Sequence, residues 1–157
     1  MKEYKRMKQA RFYNSKDNAP RPNKPSHIGA VAIIRQNNCV LLEKRRDSDR
    51  WAFIGGGLKI DETLEDCVKR EIREETGLSV KKLNFLNIFS NPYRIAEYPD
   101  GNIIRIVTVL YEALVEGKEI KCSEESKELN FFSKDELKSI HIAETHKDIH
   151  EYYLEHF

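Results

Sequence analysis

Gly55-Gly56-Gly57-Leu58-Lys59-Ile60-Asp61-Glu62, followed by Arg70-Glu71-Ile72-Arg73-Glu74-Glu75-Thr76-Gly77-Leu78, joins a glycine-rich turn to a helix crowded with carboxylates. On a helix, residues three and four apart share a face, so Glu71, Glu74 and Glu75 fall within about 100° of arc and repel one another. Arg70, four residues before Glu74, offsets part of that repulsion, and Glu62 near the helix start sits well against the positive end of the dipole. Neither disposes of the Glu71 and Glu75 pair. Leu64, Val68 and Ile72 recur at i, i+4 and i+8 as an apolar stripe, and Glu71 and Glu75 project onto its edge, so both are expected to be partly buried. Carboxylates brought towards an interior without a partner are costly, and the usual remedies are neutralisation or a cation. An all-oxygen cluster suits Mg²⁺, Mn²⁺ or Ca²⁺ rather than zinc. The plainer alternative is a solvated acidic face; the adjoining glycines and Arg70 weigh against it.

Read at full length, the segment resembles the signature of the Nudix (MutT-like) hydrolases, G-x5-E-x7-R-E-U-x-E-E-x-G-U with U a bulky aliphatic residue. Gly56, Glu62, Arg70, Glu71, Ile72, Glu74, Glu75, Gly77 and Leu78 fill every specified place, which is far more specific than a lone glycine motif. Trp51-Ala52-Phe53 leads into the glycines as in family members, with Ile54 where a proline is frequent and Lys59 and Asp61 where relatives often carry Glu and Gly.

The rest of the chain is compatible with that resemblance. Its 157 residues, net charge of +1, 39% hydrophobic and 34% charged content fit one globular domain. The basic start, Met1 to Arg6, leads into no apolar signal segment, and no apolar run approaches membrane-spanning length, so a cytoplasmic protein without a membrane partner is expected. Cys39, Cys67 and Cys122 are odd in number and lack CxxC spacing, which reads as reduced thiols. Residues 1–26 hold eight Lys or Arg against two acids, with Pro20, Pro22 and Pro25, and read as a basic arm with at most one short helix before Asn14; residues 27–157 read as the domain.

Periodicity predicts a hairpin of strands His27–Arg35 and Cys39–Lys44 around Gln36-Asn37-Asn38, and a short strand Trp51–Ile54 feeding the glycine turn. It also predicts a helix Glu62–Thr76 closed by Gly77, and strands Val80–Ser90, Ile103–Val115 and Glu128–Phe132. Ser133 with Glu136 makes a capping box for a turn through Leu137, and a tail helix covers Ala143–Phe157. Mixed strands around two main helices give an α/β class, and the resemblance implies an α/β/α sandwich with a mixed β-sheet.

The resemblance implies metal-assisted hydrolysis of a phosphoanhydride in a nucleoside diphosphate derivative, such as a nucleoside triphosphate, a nucleotide sugar or ADP-ribose. Carried over by residue, Glu74 and Glu75 are ligands of Mg²⁺ (or Mn²⁺), Glu71 is a ligand or the general base, and the Gly55 carbonyl is a further ligand. Arg70 and Glu62 orient the glutamates, since outer partners fix ligand geometry. Family members differ in the base, so Glu125 and Glu128 in the later acidic stretch are also candidates. Phe89, Tyr93, Arg94 and Arg105 are candidate substrate contacts, because aromatic and guanidinium groups stack on bases and pair with phosphate. His146 and His150 have i, i+4 spacing but lack an HExxH glutamate, and read as a surface pair. The expected partner is a small nucleotide; the chain could form a homodimer, and nucleic acid would be reached only through the basic arm. Two alternatives are a Nudix-fold binding or regulatory module without catalysis, and an RNA-end pyrophosphatase.

Overall fold

The structure, a computed structural model, describes residues 10–117 and 119–157. Its centre is the strand β2, His27–Gln36, whose segment Gly29–Ile34 is buried on both faces. A continuous apolar run of this kind is what a strand covered on both sides requires. Ala30, Ala32 and Ile34 join one core with Cys67, Val68 and Ile72 of helix α1 (Leu64–Thr76). Val31 and Ile33 point the other way, into a second core with Ile149 and Tyr153 of helix α3 (Lys147–His156). One strand between two helices is the α/β/α sandwich expected.

Around β2 lie strands β1 (Arg11–Tyr13), β3 (Cys39–Arg45), β4 (Trp51–Gly57), β5 (Ser79–Phe89), β6 (Ile95–Glu97), β7 (Ile103–Glu116) and β8 (Ser126–Phe132). The sheet runs in the order β1-β6-β7-β2-β4-β3-β8, with β5 also paired to β7. The β2–β7 pair is parallel, and the remaining named pairings are antiparallel, so the sheet is mixed. Asn37 and Asn38, at φ 52° and 62°, make the two-residue turn between β2 and β3. Paired left-handed residues give the turn twist that a tight hairpin needs.

Several local expectations change. The glycines are not a turn: Gly55, Gly56 and Gly57 continue β4 and pair with Val31, Ala30 and Gly29. Helix α1 starts at Leu64, where Thr63 and Asp66 form a reciprocal capping box, and ends at Gly77 with φ 75°. Its predicted start at Glu62 placed the acid inside the helix; Glu62 instead stands in the preceding loop and accepts from the Lys59 N–H at 2.8 Å. The tail divides into a 3-10 turn, Glu144–His146, and α3. The capped turn α2, Lys134–Leu137, is as expected. Of the short helix expected before Asn14, residues 1–9 lie outside the described residues, and Arg11–Tyr13 is a strand paired to β6. β6 itself, three residues between two turns, was not anticipated. No helix among the described residues is long and apolar enough to cross a membrane.

Candidate active site: a carboxylate cluster at the mouth of a cleft

Helix α1 packs against β4 so closely that a side chain at residue 56 has no room. A Cβ added to Gly56 would lie 2.4 Å from Glu71 Oε1, and one added to Gly55 would lie 2.4 Å from the Ala30 carbonyl. The glycines are therefore required by close approach, which lets the Glu71 carboxylate rest against the strand backbone.

Arg70 organises this end of the helix. Its Nε donates to Glu62 Oε2 at 2.9 Å and its Nη2 to Glu62 Oε1 at 2.7 Å, a bidentate pair. Nη1 donates to Glu71 Oε1 at 2.7 Å and Glu74 Oε2 at 3.2 Å, and Nη2 also reaches the Gly57 carbonyl at 3.0 Å. One planar guanidinium thus ties the loop, the helix and the glycine strand together, which a lysine could not do. The Arg70 hydrogen bonds hold Glu62 down at about 2, so Glu62 is a fixed anion.

Glu75 is buried, and its Oε2 accepts from the Gly55 N–H at 3.1 Å. Burial, then the charges of Glu43 and Glu71, push its carboxyl up to about 9. Glu43, on β3, is also buried, accepts from the Ser126 hydroxyl, and is raised first by burial. Glu71 is raised by burial despite its Arg70 bond, with Glu74 and Glu125 adding to the shift. Glu125 therefore stands near enough to act on both Glu71 and Glu43. Glu128 is exposed on β8 opposite Lys44 and is not among the charges acting on the cluster.

As placed, no three His, Cys, Asp or Glu side chains among the described residues converge on one ion. Glu75 leans on the Gly55 N–H, while Glu71 and Glu74 are drawn to Arg70. The donor set nevertheless fits a hard divalent cation. It consists of carboxylates alone, and burial and mutual repulsion hold three of them towards the neutral form, a cost that a cation relieves.

Of the cluster only Glu43 lines a cavity of about 840 Å³; Glu71, Glu74, Glu75 and Glu125 do not, although Gly55 and Gly56, against which Glu75 and Glu71 rest, do. Glu43, Gly55, Gly56 and Gly57 line one part; Phe12, Tyr13, Tyr98 and His146 supply aromatic surface elsewhere, with Arg11, Arg45 and Arg50 as cations. Arg45 is paired to Asp47 and Arg50 to Glu144, whereas no ion pair among the described residues engages Arg11.

The four expected substrate contacts do not line this cavity. Phe89 packs edge-on against Tyr152 in the second core. Tyr93 is exposed in the loop before β6. The Arg105 guanidinium donates to the Ser90 carbonyl. Arg94 has no exposed surface, and its guanidinium serves the Phe89, Ile106 and Thr145 carbonyls, the Thr108 hydroxyl and Asp148. Its composition suited phosphate, but its burial makes it a clasp inside the fold.

The histidine reading is also corrected. His146 belongs to the 3-10 turn, and its Nδ1 accepts from the Phe53 N–H at 3.1 Å, while His150 contacts the Leu137 carbonyl at 3.0 Å. They are not a surface pair. Glu43 and β1 were missed. An acid directly after the apolar Val40–Leu42 run, on the same strand face as Leu41, could have flagged Glu43, because a charge on an inward strand position needs a reason; nothing local marked β1.

Residues 25–157 match the NUDIX domain model. A Methanocaldococcus jannaschii protein named ADP-ribose pyrophosphatase is 37% identical over 113 residues, 70% of this chain and 63% of the relative, so the chain spans under two thirds of that protein. A nucleoside triphosphatase, NudI, from Enterobacter sp. strain 638 is 29% identical over 126 residues, 73% of this chain and 87% of the relative. The crystal structure of a MutT NUDIX hydrolase from Burkholderia pseudomallei superposes with a TM-score of 0.67 at 24% identity, over 82% of this chain and 98% of the other, and shares the fold. With its complete box folded as Arg70, the glycines and the glutamates require, the chain belongs to the Nudix hydrolase family.

Proposed function

We propose that the protein hydrolyses a diphosphate bond in a nucleoside diphosphate derivative, of the nucleoside triphosphate, nucleotide sugar or ADP-ribose type. In this reading Mg²⁺ or Mn²⁺ is held by Glu71, Glu74, Glu75 and the Gly55 carbonyl. The observation that carries the reading is the pair of buried carboxylates, Glu43 and Glu75, against the glycine strand at the edge of a cavity that aromatic and cationic side chains also line. A diphosphate fits the charged end and a nucleoside the aromatic end. The names of the relatives from Methanocaldococcus and Enterobacter support the same substrate classes.

When bound, the cation supplies neutralisation of phosphate charge and a water of lowered pKa. The chain's own residues do the rest. Arg70, anchored by Glu62, fixes the directions of Glu71 and Glu74. The Gly55 N–H fixes Glu75. Glu71 or Glu125 takes the proton of the attacking water, and both act on the same patch of carboxylates. Residues 27–157 form the catalytic domain in this reading, with the strand Arg11–Tyr13 of the preceding arm contributing a cavity wall.

A panel of nucleoside triphosphates, nucleotide sugars and ADP-ribose, assayed with Mg²⁺ for phosphate-containing products, tests the proposal. Turnover of at least one class, abolished by Glu74→Gln and by Glu75→Gln, is expected. Tight nucleotide binding without turnover of any class would instead make the chain a binding module.

A further inference from the structure

The wall of the cavity formed by the Glu144–His146 turn is held unusually firmly for a surface turn. The strand-like segment before it docks on β4 through Trp51 N–H to the His141 carbonyl at 2.9 Å and Ala143 N–H to the Trp51 carbonyl at 2.8 Å. Arg50 pairs with Glu144 at 2.8 Å, Arg94 donates to the Thr145 carbonyl at 2.6 Å, and the Arg94 Nε lies 2.8 Å from Asp148 at the start of α3. The product of these ties is a fixed position for one ring. His146 lies beside Phe53, ring centroids 6.2 Å apart and 25° from parallel, and its Nδ1 is 3.1 Å from the Phe53 N–H.

That last bond decides the tautomer. An N–H donor needs a lone pair on Nδ1, so the ring proton of a neutral imidazole must sit on Nε2. Burial, with help from Arg45 and Arg94, pushes the imidazole down to about 3, so it stays neutral. No protein acceptor among the described residues takes the Nε2 proton, and Nε2 is not among the buried, unpaired side-chain atoms. It is an open donor on the cavity wall. Phe53 is two residues before Gly55, roughly 7 Å along the strand, and both line the cavity together with His146 and Glu43.

We propose that His146 is a specificity-determining residue, whose Nε2–H donates to an acceptor on the nucleobase of the substrate, a ring nitrogen or keto oxygen. This rests on the reading that the cavity takes a nucleotide. A hydrogen-bonding group that is locked by its own backbone partner discriminates well, because a substrate lacking the matching acceptor leaves it unpaired. Arg94 acts through it as a positioning residue.

The test uses products that contain no anhydride bond, so binding is read without turnover. Wild-type protein and His146→Asn are titrated by calorimetry, with Mg²⁺ present, against AMP, GMP, CMP and UMP and against base-free ribose 5-phosphate. Asparagine keeps an oxygen where Nδ1 accepts from Phe53 but has no donor at the Nε2 position. Wild type should bind at least one nucleotide more tightly than ribose 5-phosphate, and the variant should lose that preference by roughly tenfold, with ribose 5-phosphate binding unchanged. Equal binding of all ligands by wild type, or a variant that weakens both kinds alike or neither, overturns the proposal. Should the variant fail to fold, nitrogen-15 spectra of wild type decide. The Nε2–H tautomer, with Nε2 shifting on addition of the preferred nucleotide but not of ribose 5-phosphate, supports it; an Nδ1–H tautomer or an unmoved Nε2 overturns it. A base preference that depends on His146 in a protein that hydrolyses nothing in the substrate panel would sink the hydrolase reading while leaving this inference standing.

Discussion

The two ends of the cleft are built on opposite principles. At the glutamate end, Glu43, Glu71 and Glu75 are crowded, desolvated and held towards neutrality, a conflict that a ligand resolves. At the His146 end the ring is fixed by the Phe53 N–H, the Arg50–Glu144 pair and the Arg94 contacts, and its free Nε2–H donor faces the cavity. On the proposed reading the first end stores electrostatic strain for chemistry and the second is preorganised for recognition, so mutations should separate into those that stop turnover and those that loosen the frame.

The largest effect is expected at the strained end. Glu75→Gln should lower kcat by about a thousandfold or more, on the order of 4 kcal/mol of barrier, with the variant still folded by circular dichroism; a loss of less than tenfold would mean that the cluster is not where the reaction happens. At the preorganised end, Arg94→Met strips a fully buried cation from Asp148 and four other acceptors. Urea unfolding should show a loss of about 3–5 kcal/mol. A near-neutral result would say that the turn is held by its backbone bonds alone.

The contrast also has a pH signature. Glu75 is raised from 4.5 to about 9 in the folded protein, so the native state binds more protons than the unfolded state between those values. The stability that Glu75 contributes to the metal-free protein is therefore full below about pH 4.5 and is lost as pH rises towards 9, by on the order of a few kcal/mol. Thermal melts across that window should fall for wild type, fall much less for Glu75→Gln, and be restored at high pH by Mg²⁺. His146 behaves in the opposite sense: neutral and bonded, it contributes stability above about pH 6.5 that is lost as pH falls towards 3.

The two ends were also unequally legible in the sequence. The glutamate end was readable because its constraints are local: Arg70, Glu71, Glu74 and Glu75 sit on consecutive turns of one helix, and fixed spacing translates directly into a face. The continuous apolar run Ala30–Ile34 likewise announced a strand. Gly55–Gly57 misled because glycine signals both turns and close approach, and here the approach of Glu71 is what excludes a side chain. Arg94 misled because sequence shows its charge but not its burial. The His146 end is assembled from β1, β6 and the 3-10 turn, segments of three residues each that come together across the whole chain, and elements so short leave no periodic pattern to read.

Smaller effects sharpen the same division. Gly56→Ala places a methyl 2.4 Å from Glu71 Oε1 and should displace that carboxylate, lowering kcat about ten- to a hundredfold while KM changes little; steady-state kinetics on the preferred substrate would show it. Thr63→Ala removes the side-chain half of the capping box of α1 and should cost about 1 kcal/mol in urea unfolding.

Binding of Mn²⁺, followed by electron paramagnetic resonance and calorimetry in two buffers of different protonation enthalpy, bears most directly on the glutamate end. Wild type should bind the ion with release of protons at neutral pH, because Glu75 and its neighbours must ionise, and Glu75→Gln should bind at least about tenfold more weakly with fewer protons released. Binding of equal strength and equal proton release in both proteins would contradict a metal site built on that cluster.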